Sequence, residues 1–113
     1  MLAKEADRRV PPVKKGLKKL AGASEPDSAK IEELRVEVHG LKGAAIVIGQ
    51  EHLSRLAARA EQLLAARTDA GTIDAELAAK LSGALDAFQE GSRAAASGDP
   101  EPASVADALV ALA

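Results

Sequence analysis

The chain has 113 residues, enough for one compact domain, and fifteen Lys and Arg against seventeen Asp and Glu leave a formal charge of −2. That balance, with Phe88 as the only aromatic residue, argues against a nucleic-acid binder, and the absence of cysteine removes disulfides, thiolate zinc sites and thiol nucleophiles. The longest apolar stretch, Gly43 to Gly49, is too short for a bilayer, and the charges from Lys4 to Arg9 come too early for a signal-peptide core, so a soluble, cytoplasmic domain without a membrane role is expected.

Apolar residues recur with a helical period and no run alternates strictly, which predicts an all-α chain. Residues 1–10 are highly charged and read as a frayed helix or a short cover. Pro11-Pro12 suits the first turn of a first helix, where a missing N–H costs little, and Val13, Leu17 and Leu20 form its stripe. Gly22 and SEPDS end that helix and open the next; Ser24 with Asp27 has capping-box spacing, and Asp27 or Ser28 serves equally as the cap. The second helix carries the clearest seam, Ile31, Leu34, Val38, Leu41, Ala45 and Ile48, and stops at Gly49. A third uses Leu53, Leu56, Ala60 and Leu63, with Glu51 supporting Arg55 one turn on. After the turn at 68–72, a fourth helix from about Ile73 presents Leu77, Leu81, Leu85 and Phe88. GDPEP is a linker, and Ser104 caps a final apolar piece.

Helices joined by short turns are antiparallel neighbours. The predicted architecture is an up-down antiparallel four-helix bundle with a short extra terminal helix or helices. It forms a single domain over 1–113, with a core at about 11–97 and a linker plus short C-terminal helix at 98–113. The first helix is short in this count, so either residues 2–9 extend it or the C-terminal piece helps to close the bundle.

With two histidines and no Ser-His-Asp or HExxH pattern, one segment concentrates the chemistry: Val38-His39-Gly40-Leu41-Lys42-Gly43. Val38 and Leu41 belong to the seam, so His39 turns toward solvent, with Lys42 and Gly43 as its neighbours on the next turn. Two glycines inside a helix cost about 1 kcal/mol each relative to Ala. Gly43 gives a return on that cost by clearing space beside the imidazole. If the chain folds back around residue 50, His39 lies eleven residues before the turn and Glu61 eleven after it. A carboxylate there accepts from Nδ1–H, fixes the tautomer and leaves Nε2 as the outward lone pair. Such an imidazole suits a phosphoryl acceptor, with Lys42 offsetting charge on the phosphoryl oxygens. Lacking a carboxylate cluster and a nucleotide loop, the chain binds no cofactor of its own, and Mg²⁺ and the phosphoryl donor come from a partner. Ile46, seven residues beyond His39, extends the same line, so Val36, Gly43 and Ile46, with Gln50 at the edge, form a candidate docking patch. His52 reads as an exposed residue with no role in the chemistry.

HGLKGAAIVIG followed by HLSRLAARAEQLL closely resembles the histidine-containing phosphotransfer (HPt) domains of two-component phosphorelays. His39, Lys42, Gly43, Gly49, Leu53 and Leu56 match that family's pattern, most strongly over 31–67, and 73–90 is similar to its following helix. Glu61 tilts toward the phosphotransfer domain of chemotaxis-type histidine kinases, where a Glu bonds the acceptor His, whereas Ala58 departs from that branch. The resemblance implies a monomeric phosphoryl carrier without its own ATP site, exchanging phosphate with response-regulator receiver domains or a histidine kinase. A helical adaptor of the same shape that only binds a receiver or kinase is the alternative.

Overall fold

In the computed structural model, which describes residues 2–113, the chain forms five α-helices and, among those residues, no strand. The first helix, α1 (Leu2–Ala21), departs from the sequence expectation: it runs straight through Pro11 and Pro12 instead of starting at them. Proline in a helix interior removes hydrogen bonds and crowds the preceding turn. Here Leu2, Ala6, Val10, Val13, Leu17 and Leu20 form one buried seam on both sides of the pair, while both prolines face solvent. Burial along the whole seam outweighs the local proline rule. The core therefore begins well before residue 11.

α2 (Ser28–Val47) opens at Asp27, whose carboxylate accepts from the Lys30 amide at 3.0 Å, and buries Ile31, Leu34, Val38, Leu41 and Ala45. Ile48, expected at the end of this seam, instead lies beyond the helix and is exposed, because Gly49 adopts φ +74° and turns the chain immediately after it. α3 (Glu51–Ala65) buries Leu53, Leu56, Ala57, Ala60 and Leu64; Leu64 takes the place expected for Leu63, which is only half-buried. No ion pair joins Glu51 to Arg55 among the described residues. α4 (Ala75–Ser97) starts after Asp74, which accepts from the Leu77 amide at 2.7 Å, so Ile73 precedes the helix and Leu77 is half-buried. α5 (Ala103–Leu112) is capped by Pro102 without a side-chain bond; Ser104 lies inside it and reaches Glu90 of α4.

Cross-helix partners fix the directions. Arg9 meets Glu37 while Gly16 faces Leu34, so α1 and α2 are antiparallel. Asp7 meets Gln89 and Arg93 while Lys14 meets Asp86, so α1 and α4 are antiparallel too. With α2 packed on α3 and α3 on α4, the four long helices close a bundle 44 Å long. α5 lies against α3 and α4 and inserts Val105, Ala108 and Leu112 into the common core. Extension of α1 and addition of α5 thus both occur. The sole aromatic, Phe88, is 1% exposed and packs with Leu41, Leu56 and Leu85. Leu41 is wholly buried, a placement that contributes about 1.5–3 kcal/mol and fixes the rotation of α2.

Candidate functional site

That rotation decides where the polar residues of α2 point. Val38 and Leu41 are buried and His39, between them, projects outward with its side chain 60% exposed. The opposing helix supplies Glu61, whose side chain is only 13% exposed. His39 Nδ1 lies 2.9 Å from Glu61 Oε2. A carboxylate only accepts, so Nδ1 carries the proton and donates it, leaving Nε2 as the free nitrogen of the neutral ring.

Two cations share the same carboxylate. Lys42 Nζ sits 2.8 Å from Oε1, and Arg35 donates from Nη1 to Oε2 at 2.9 Å. Burial pushes the Glu61 carboxyl up, but the hydrogen bonds and charges of Lys42 and His39 outweigh it and hold the group below its ordinary value. Lys42, expected from the sequence to face an incoming phosphoryl group, therefore rests on Glu61.

Arg35 was not among the residues singled out from the sequence. It stands one turn before His39 on the same face, a spacing that could have pointed to it. Its Nε and Nη2 edge is gripped by Glu32, which leaves Nη1 for Glu61. The bond to Glu32 is the main reason its guanidinium holds its proton more tightly than usual.

The two glycines have different surroundings. A side chain at Gly43 would meet nothing within 4 Å, so the surface beside His39 is open. A Cβ at Gly40 would lie 2.5 Å from a guanidinium nitrogen of Arg9, which crosses α2 there to reach Glu37. Beyond Gly43, Val36 and Ile46 are exposed and Gln50 is half-buried, and the exposed Val47 and Ile48 enlarge the apolar surface at the end of α2. His52 stands apart, beside the α2–α3 turn, with Nδ1 2.8 Å from Glu101. Among the described residues no group of three or more His, Cys, Asp or Glu could hold a metal ion.

The sequence model of the Hpt domain matches residues 2–91, from the start of α1 through most of α4 and across the whole His39 cluster. The chain belongs to the Hpt domain family. Membership implies a histidine phosphotransfer role in phosphorelays. The all-helical bundle agrees with that assignment, and no helix of this Hpt domain, among the described residues, is long and apolar enough to cross a membrane. Residues 92–113, which form the end of α4 and all of α5, lie outside the family match. No curated protein matches the chain.

Proposed function

We propose that this Hpt domain carries a phosphoryl group on Nε2 of His39, between a histidine kinase and response-regulator receiver domains. The observation that carries the proposal is an exposed imidazole whose Nδ1–H is bound to a nearly buried carboxylate, leaving only Nε2 facing outward. In the forward step the Nε2 lone pair attacks the phosphorus of a receiver's aspartyl phosphate or a kinase-bound nucleotide. The Nε2–P bond forms as the P–O bond breaks, and the donor oxygen keeps the bonding pair. Positive charge then develops on the ring, where Glu61 stabilises it through Nδ1–H.

The reverse step benefits equally. With Nδ1 protonated, the ring leaves as neutral imidazole when the Nε2–P bond breaks, instead of as the far more basic imidazolate. Lys42 faces the phosphoryl oxygens once it leaves Glu61. Mg²⁺ and the chemistry of nucleotide cleavage belong to the partner, and the domain works as a cytoplasmic monomer with no cofactor of its own. The receiver docks over Gly43, on the apolar surface formed by Val36 and Ile46 with Gln50 at its margin.

Phosphohistidine is acid-labile and alkali-stable. Incubation with labelled, phosphorylated receiver domains is expected to give a label of that stability, lost in His39→Gln and retained in His52→Gln. Label of equal yield in His39→Gln would overturn the assignment. A domain that binds receivers yet never takes up label would be an adaptor instead.

A further inference from the structure

Glu61 has two oxygens and three donors, and the two cations are not held alike. Lys42 reaches Oε1 at the end of a flexible four-carbon chain whose ammonium can rotate to a new acceptor. Arg35 has no such freedom. Glu32 holds its Nε and Nη2 edge, so the guanidinium is a fixed plate with Nη1 aimed at Oε2, the same oxygen that accepts from His39 Nδ1. The groups facing Glu61 are thus Glu32, Arg35, His39 and Lys42, all from α2; α4 and α5 contribute none among the described residues.

We propose that Arg35 is a positioning residue for phosphotransfer, the resident counter-ion of Glu61 whose presence releases Lys42 to follow the phosphoryl group. The inference rests on the phosphotransfer role proposed for His39. When a dianionic phosphoryl group arrives on Nε2, Lys42 has two acceptors and one ammonium. If it departs, a carboxylate that is 13% exposed is left with only the ring N–H, and a carboxylate so placed is costly unless another cation stays. Arg35 stays. It keeps Glu61 ionised and holds Oε2 in place, so that Nδ1 keeps its proton through both halves of the transfer. Without Arg35, Lys42 is pinned to Glu61 and the phosphoryl oxygens lose their cation.

The test compares wild type, Arg35→Gln and Arg35→Lys, with helical circular dichroism as the check on folding. Carbon-13 titration of the Glu61 carboxyl and nitrogen-15 spectra of the His39 ring are recorded on the unphosphorylated domain. Arg35→Gln is expected to raise the Glu61 midpoint and weaken the preference for the Nδ1–H tautomer, and Arg35→Lys to restore part of both. Transfer from acetyl-phosphate-charged receiver domains is expected to slow roughly two- to fivefold in Arg35→Gln, the scale of one partly exposed ion pair. Adding Lys42→Ala to Arg35→Gln is expected to cost less than the product of the two single effects, since Lys42 is already withheld. An unmoved Glu61 titration and His39 tautomer in Arg35→Gln, or fully multiplicative effects with Lys42→Ala, would overturn the proposal. Failure of the phosphotransfer role itself looks different: the wild type takes up no label on His39, while the titration results stand.

Discussion

Replacing Glu61 by Gln keeps the volume of the side chain and removes its charge. The carboxylate accepts from Lys42 at 2.8 Å and from Arg35 and His39 at 2.9 Å each, and it is the least exposed member of the cluster at 13%. Partly exposed pairs of this kind contribute about 0.2–1 kcal/mol apiece, so their loss together costs about 1–2 kcal/mol. For a domain of this size that lowers Tm by roughly 4–10 °C. The effect has a definite sign with pH. The Glu61 carboxyl is raised by burial but brought below its ordinary value of 4.5 by its bonds to Lys42 and His39 and by their charges. A depressed carboxyl contributes stability that is present above 4.5 and is lost as pH falls through the lowered native value. Wild type and Glu61→Gln, compared by urea denaturation followed by helical circular dichroism, are therefore expected to differ at neutral pH and to converge in acid. Equal stability at neutral pH, or a difference undiminished in acid, would refute the assignment of Glu61 as the electrostatic centre of the site.

Three further outcomes are expected. Lys42→Ala slows phosphotransfer while the bundle stays folded, because the half-buried side chain contributes a single ion pair, to Glu61, worth about 1 kcal/mol at most; a large drop in Tm would count against its role at the phosphoryl group. Gly43→Leu gains up to about 1 kcal/mol of helix propensity and has open space for its Cβ, yet transfer with every receiver falls sharply. Parallel melting and transfer measurements separate those two effects, and unimpaired transfer would remove the steric basis of the docking surface. Ile46→Ser leaves the melting curve nearly unchanged, since the residue is 60% exposed, and slows transfer from cognate receivers. Unchanged rates with all of them would rule the patch out.

Much of the arrangement was legible in the sequence because two periodicities met at one turn. The α2 seam fixed which residues face inward, and counting outward from residue 50 set His39 level with Glu61, which is how the helices pack. Elsewhere a local signal competed with a tertiary one. Pro11-Pro12 is a sound helix-start signal, but the seam from Leu2 to Leu20 crosses it. Leu63 and Leu64 differ by one step of about 100°, and only the positions of α4 and α5 decide which of them turns inward. Ile48 kept the seam's rhythm but lay past the last helical turn. Arg35 is harder to read: its spacing one turn before His39 puts it on the right face, but its bond to Glu61 depends on a distance across two helices.

The burial of Phe88 also has a practical consequence. With no tryptophan or tyrosine in the chain and its one phenyl ring enclosed, the protein is optically almost silent in the near ultraviolet. A tryptophan introduced at Val47, 84% exposed on the last turn of α2, would be the domain's sole strong fluorophore. Its emission would report what settles on that end of the helix without background from the rest of the domain.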